Sequence, residues 1–177
     1  MPVPKQRQPT VDPHLGPEYT RHAQEFAARV NSDGGASYHL QSKQFIEPGP
    51  PETGYMVGGH GGSGESSITG GLRKYQVAAH FARTAILAGT NPNVYAGGWQ
   101  TPKGSALDIS TRMPNHDEAM KAGEERRQEA IYDVHKAEDI PVDRSKWAPA
   151  PDDSLKARRG IVTGPLDHAV LAPRHKF

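Results

Sequence analysis

Residues 93–142 read NVYAGGWQTPKGSALDISTRMPNHDEAMKAGEERRQEAIYDVHKAEDIPV, and this stretch decides the fold. Val94, Tyr95 and Ala96 are predicted to start its first strand. The pair Gly97 and Gly98 predicts a bulge in that strand, since glycine tolerates backbone geometries that other residues avoid. The segment TPKG at 101–104 places proline and glycine where a hairpin turn needs them. The stretch is therefore expected to open with a β-hairpin.

The rest of the stretch predicts a helix and a third strand. The return strand of the hairpin covers residues 105–110 and alternates in polarity. Asn115 or Asp117 is then expected to cap a helix, and residues 129–134 form a strand after it. We predict a central ββαβ module at 93–140, in which a parallel pairing across the helix would need a right-handed crossover. The side chains of the return strand that should face the core are Leu107 and Ile109.

Residues upstream of this module supply further helices and strands. Apolar residues at three- and four-residue steps predict helices at 17–31 and 73–88, and Gly89 is expected to end the second one. Short strands are predicted at 36–41 and 54–57. The apolar stripe of the second helix consists of Val77, Ala78, Phe81, Ala82, Ala85 and Ile86, and His80 lies beside it.

Composition divides the chain into a body and two arms. Hydrophobic residues make up 34%, and the 19 glycines and 16 prolines exceed average usage. Prolines recur through residues 1–16 and 141–177, which predicts extended arms around a compact body at 17–140. We predict an α+β fold, with a small mixed sheet and two or three packed helices, flanked by extended proline-rich N- and C-terminal arms.

Composition also bears on the class of function. The chain has no cysteine, which excludes disulfides, thiolate catalysis and cysteine-based zinc sites. A net charge of +1 and a pI near 8.0 are low for a dedicated nucleic-acid-binding protein, so nucleic acid is not an expected partner. No stretch reaches the apolar length of a membrane span or a secretion signal, so we expect a soluble protein with no membrane partner.

The glycine-rich loop at 58–71 comes close to two catalytic motifs. From Gly59 to Ser66 the spacing is that of a phosphate-binding P-loop, but Glu65 stands where the lysine belongs and would repel phosphate. The same residues resemble the nucleophile elbow of a hydrolase, G-x-S-x-G, but Ile68 occupies the place of the last glycine. The expected structure is a flexible surface loop.

The central module contains polar side chains that could support chemistry, namely Asp108, Asp133, His116 and His135. Two carboxylates on neighbouring strands could form an acid–base pair or a metal site. No two histidines, however, have the three- or four-residue spacing of a helix-borne metal site. We therefore expect no catalytic residue, no metal site and no cofactor.

Four motifs together indicate a family. The succession GYMVGG (54–59), YAGGW (95–99), ALDIS (106–110) and DEAMKAGEERRQEAIYDV (117–134) resembles an uncharacterised module of tailed phages of actinobacteria and related mobile elements. The match spans about residues 54–142, roughly half of the chain. The resemblance implies a phage context, and it brings no catalytic residue with it.

The C-terminal arm carries isolated apolar residues between its prolines. A purely solvating linker rarely spaces large apolar side chains so regularly, so we predict a wrapping tail that lays them into grooves on partner proteins. The alternative is a disordered tail. The predicted partner-binding residues are Trp147, Leu155, Ile161, Val162, Leu166, Val170 and Leu171.

Two hypotheses of function follow. The first is a non-enzymatic structural or accessory component of the virion, capsid-associated as a minor capsid or decoration protein and assembled in the host cytoplasm. Its arms would bind capsid subunits and copies of itself. The second is a small phage-encoded enzyme or effector with a site near the glycine-rich loop, which would use Asp108, His60 or Ser66.

Overall fold

The structure, a computed structural model, describes residues 17–148 as three helices and eight strands. The helices are α1 (Pro17–Asp33), α2 (Lys74–Ala88) and α3 (His116–Glu125). The strands are β1 (Gly35–His39), β2 (Gln44–Phe45), β3 (Tyr55–Val57), β4 (Ser66–Thr69), β5 (Val94–Thr101), β6 (Gly104–Met113), β7 (Ala130–Asp133) and β8 (Glu138–Pro141).

The strands form one sheet in the order β2-β1-β5-β6-β3-β7-β8, with β4 paired to β6 beside this path. Every strand pair among residues 17–148 is antiparallel. The α+β class is therefore confirmed. The sheet is antiparallel rather than mixed, because β3 pairs with both β6 and β7 and separates them.

The hairpin of β5 and β6 is the centre of the sheet. Thr101 pairs with Gly104, so the turn is where TPKG predicted it. The predicted bulge at Gly97 and Gly98 is wrong, since both residues keep one-to-one pairing with β1 and β6. Glycine is needed at both positions because a larger residue would collide with neighbouring side chains. A Cβ at Gly97 would lie 2.3 Å from Asp108 Oδ1, and one at Gly98 would lie 2.8 Å from the Phe26 ring.

Helices α1 and α2 cover one face of this hairpin through an aromatic core. Tyr38 stacks on Phe81 with ring centroids 4.7 Å apart, and Phe26 meets Phe81 edge-on at 5.4 Å. Leu107 and Ile109 are buried, as predicted. The predicted stripe of α2 is wrong at its C-terminal end: His80 and Thr84 are buried there, whereas Ala85 and Ile86 are exposed.

Helix α3 begins as one of the two predicted caps requires. The Asn115 side chain accepts hydrogen bonds from the backbone N–H groups of Asp117 (2.9 Å) and Glu118 (3.2 Å). The helix packs over β3 and β7 through Ala119, Ala122 and Gly123. The ββαβ module is therefore not a self-contained unit, because β3, from residues 55–57, completes it between β6 and β7.

Strands β2, β4 and β8 were not predicted, and the last two change the predicted boundaries. The glycine-rich loop at 58–71 contains β4, because Ser66–Thr69 pair with β6. Strand β8 and the residues after it continue the body past residue 140, since Val142 is buried against Gly123 and Ile131. The arm at 1–16 and residues 149–177 of the other arm lie outside the described residues.

Candidate functional site

The sheet is split along one side of β6, and the candidate site lies at this split. β4 pairs with residues 104–107 of β6, and β3 pairs with residues 111–113. Residues 108–110 of β6 have no strand on this side among residues 17–148. The first half of the glycine-rich segment connects β3 to β4 here. The geometry thus brings the predicted loop next to Asp108.

Asp108 is a buried carboxyl at the split. Its side chain is 7% exposed, and its two oxygens accept hydrogen bonds from Ser110 Oγ at 3.1 and 3.2 Å. Burial raises the pKa of Asp108 to about 7, the Ser110 hydrogen bond opposes this rise, and the negative charge of Glu65 adds to it. The centre of the sheet therefore contains a carboxyl that keeps its proton up to about pH 7.

The close approach of three segments keeps Asp108 covered. A Cβ at Gly58 would lie 2.5 Å from Asp108 Oδ2 and 2.4 Å from Gln128 Oε1. Gln128 Nε2 donates to the carbonyl of Arg126 at 3.2 Å, which fixes its side chain. Only glycine leaves room at residue 58. The carboxyl is consequently packed between Gly58 and Gly97 rather than presented to a cleft.

A second set of polar groups closes the split at the end of β3. Arg126 Nη1 donates to the carbonyls of Val57 (3.1 Å) and Gly58 (3.3 Å) and to Thr111 Oγ1 (3.2 Å). His60 Nδ1 lies 2.8 Å from the same Thr111 oxygen, and its Nε2 lies 3.3 Å from the carbonyl of Leu87. A neutral His60 with the proton on Nε2 satisfies every one of these contacts.

His80 is a buried histidine on the helix-covered side of the sheet. Its ring lies 6.5 Å from that of Phe26, and its Nε2 has no hydrogen-bond partner among the described residues. Burial lowers the pKa of His80 to about 4, with a further contribution from Arg83, although the nearby backbone of Asp108 and Gly97 favours the proton. The ring is therefore a neutral core side chain at pH 7.

Asp108 and Asp133, the two carboxylates considered as an acid–base pair, do not lie side by side. β3 lies between the strands that carry Asp108 and Asp133. Tyr55 of β3 pairs with Asp133 on one side and with Met113 on the other, so Asp133 is level with Met113 and not with Asp108. Asp133 instead organises the turn after β7, where its Oδ1 accepts from the N–H groups of His135 (3.0 Å) and Lys136 (3.1 Å). The two carboxylates are therefore separated by a strand and have different surroundings.

The remaining candidates also occupy separate places. His116 pairs with Asp117 at 3.2 Å, and His135 Nδ1 lies 3.1 Å from the Glu52 carbonyl. Ser66 is paired with Leu107, so its side chain lies on the sheet face opposite to Asp108. Within residues 17–148, no three histidine, aspartate or glutamate side chains come together as a metal site.

Trp147 packs on its own body. Its ring is half-buried against the cluster under α3, and its Nε1 donates to the Gln128 carbonyl at 3.1 Å. The guanidinium groups of Arg127 and Arg144 each lie 5.4 Å from the ring centroid, within cation–π range. A partner role for Trp147 stays a prediction. The other six predicted partner-binding residues, Leu155, Ile161, Val162, Leu166, Val170 and Leu171, lie outside the described residues.

An open cleft of about 360 Å³ lies at the far end of β6. Arg112 is the cationic side chain among the residues that line this cleft. Its guanidinium already binds the Glu52 carboxylate at 2.6 Å and the Thr53 carbonyl. An anionic ligand would have to displace Glu52. The lining consists of Thr53, Gly54, Asn93, Tyr95, Arg112, Met113 and Pro114.

Sequence reasoning missed most of the residues that build the split. Arg126 and Gln128 match no functional motif in the sequence, and only the fold brings them to Gly58 and Thr111. Comparison of the chain with protein-family models, curated proteins and solved structures finds no match. None of the helices within residues 17–148 has the length and apolarity needed to cross a membrane.

Proposed function

We propose that the protein is a non-enzymatic structural component of a phage particle, associated with the capsid. The α+β body sits on the particle, and the chain on either side of it binds neighbouring subunits. The resemblance to a phage module, the proline-rich sequences at both ends and the apolar residues spaced along 155–171 support this proposal.

The observation that carries the proposal is the attachment of the C-terminal segment to the body. Val142 is buried and its N–H donates to the Glu129 carbonyl at 2.9 Å. Trp147 packs under α3, and the N–H of Ala148 donates to the Glu124 carbonyl at 3.2 Å. The remaining 29 residues thus start from a fixed point beside the end of α3. A fixed start reduces the conformations that a binding segment loses on association.

The energetics require several anchors acting together. Each large apolar side chain of the tail that becomes buried contributes about 1.5–3 kcal/mol before the cost of ordering the chain. Ordering one residue of backbone costs about 1–2 kcal/mol. One or two anchors therefore bind weakly, and the six apolar residues from Leu155 to Leu171 are expected to act as a set.

Truncation after Ala148 tests this function. We expect the shortened protein to keep its far-UV spectrum and melting temperature, because Trp147 and Val142 remain in place, and to be lost from purified particles. A matched full-length variant, with the six apolar residues changed to serine, should be lost equally. Normal incorporation of both variants would contradict the proposal. Truncation at residue 140 would not serve, since it removes part of the body.

A second candidate function is acid–base chemistry at the split. It is favoured by one observation: Asp108, beside the glycine-rich segment, has a pKa raised to about 7 by burial, in the range that suits a general acid at neutral pH. On this alternative, Asp108→Asn or His60→Ala abolishes an activity while the protein stays folded, whereas Ser66→Ala has no effect because Ser66 lies on the opposite face of the sheet. If a folded Asp108→Asn protein left particle assembly and infectivity unchanged, this alternative would be contradicted.

A further inference from the structure

Helix α2 presents an apolar stripe to solvent. Tyr75 is 40% exposed and Ile86 is 79% exposed, and these are the two large apolar side chains that stand out from the surface of residues 17–148. They are eleven residues apart, so at 3.6 residues per turn they lie within about 20° of one line along the helix. Ala79 and Ala82 lie between them on the same line. We call Tyr75, Ala79, Ala82 and Ile86 the α2 stripe.

The α2 stripe has the same pattern from either end. It runs large, small, small, large, at spacings of four, three and four residues, about a centre between His80 and Phe81. When two such helices pack antiparallel, Tyr75 of one copy meets Ile86 of the other, and Ala79 meets Ala82. This is the self-complementarity that a twofold interface requires. The two alanines at the centre let the helices approach to about 8 Å.

The charges at the ends of α2 favour the same pairing. Arg73 caps the helix and Lys74 begins it, its first turn has no acidic residue, and its last turn has no basic one. This distribution opposes the helix dipole, which favours anions at the N-terminus and cations at the C-terminus. In an antiparallel pair, Lys74 lies beside the C-terminal end of the other helix, where Ala85 and Ala88 leave room for it. Each copy then supplies the cation that the other lacks.

We infer that the α2 stripe is a twofold interface between two copies of this chain. An acidic helix of another protein would also meet the cations, but it would not require a symmetric stripe. One helix packed on one helix is a smaller contact than the roughly 1,200 Å² of stable interfaces, so the dimer is weak and forms at high local concentration. The inference does not depend on the role in a particle, and its failure would leave that proposal standing.

Cysteine cross-linking of the full chain tests this interface, because the chain has no cysteine of its own. A mixture of Tyr75→Cys and Ile86→Cys proteins, mildly oxidised, should give the mixed covalent dimer in high yield. Each variant alone should give little, since two positions 75 would lie about 16 Å apart along the helix axis, beyond the roughly 7 Å limit for a disulfide. Gln24→Cys, on the exposed side of α1, mixed with Ile86→Cys measures random collision.

Sedimentation of the unmodified chain gives a second, independent test. We expect a dimer at high protein concentration, and Ile86→Asp should weaken it at least about tenfold, because the change places a charge in the contact. Pairing brings the two copies of Arg83 toward each other, so Arg83→Ala should strengthen the dimer, whereas it would weaken the binding of an acidic partner. A chain that stays monomeric up to about 1 mM, or equal cross-linking in all mixtures, would overturn the inference.

Discussion

Asp108 and His80 are two buried titratable groups whose effects on stability oppose each other. The folded pKa of Asp108 is raised by burial to about 7 from an ordinary 3.8, so between these values the folded protein keeps a proton that the unfolded chain releases. Rising pH therefore lowers the free energy of unfolding. The folded pKa of His80 is lowered by burial from 6.5 to about 4, so between these values only the unfolded chain holds the proton. Rising pH then raises the free energy of unfolding.

The two effects nearly cancel between pH 4 and pH 6.5 in the unmodified chain, and single substitutions should separate them. Relative to the unmodified chain, Asp108→Asn should gain stability as pH rises from 4 to 7, by up to about 4 kcal/mol. His80→Gln should show the opposite trend, losing up to about 3 kcal/mol between pH 4 and 6.5. Urea denaturation from pH 4 to 8 measures both. Equal slopes for the two variants would contradict this account of the core.

The sequence predicts features that depend on one residue and its immediate neighbours. The turn at 101–104, the cap at Asn115 and the end of α2 at Gly89 all form where expected, because each depends on local backbone chemistry. The role of Gly97 was misassigned, because glycine is needed there to leave room for the Asp108 side chain on the adjacent strand. Ile86 was expected in the core because hydrophobicity alone does not reveal which side of α2 meets the sheet.

At the level of elements, the segment from Val142 to Ala148 acts as a clasp on α3 and β7. Trp147 contributes through packing, a hydrogen bond to the Gln128 carbonyl and contacts with two arginine side chains. Trp147 was predicted to belong to the C-terminal arm, because no local sequence pattern connects it with Gln128. Strands β4 and β8 were missed for a similar reason: SSIT and EDIP have one large apolar residue each and so no alternation, and each strand is defined by the strand it pairs with.

Trp147→Ala should therefore destabilise the body rather than affect only a tail. We expect a loss of about 2 kcal/mol, below the roughly 3–5 kcal/mol of fully buried tryptophan because the ring is half-exposed. Chemical denaturation in urea measures the loss. Lys136→Ala, on the exposed turn after β7, is the control and should change stability little. A Trp147→Ala protein as stable as the unmodified chain would show that the clasp contributes nothing.

For the whole molecule, the α+β class could be predicted and the order of strands could not. The alternation in 105–110 and the helical periodicities give the class, because these patterns are local. The insertion of β3 between β6 and β7 depends on a pairing across more than fifty residues, and this insertion separates Asp108 from Asp133. The split in the sheet, and with it the candidate site, is a consequence of this order.

The central claim is that the chain is a structural component of a particle, and its presence there can be measured directly. The proposal requires that a phage encodes the chain, and quantitative mass spectrometry of its purified particles would give the copy number relative to the major capsid subunit. The account predicts a fixed, stoichiometric number of copies that survives washing at high salt, because apolar anchors hold it. A protein abundant in infected cells but absent from purified particles would contradict it.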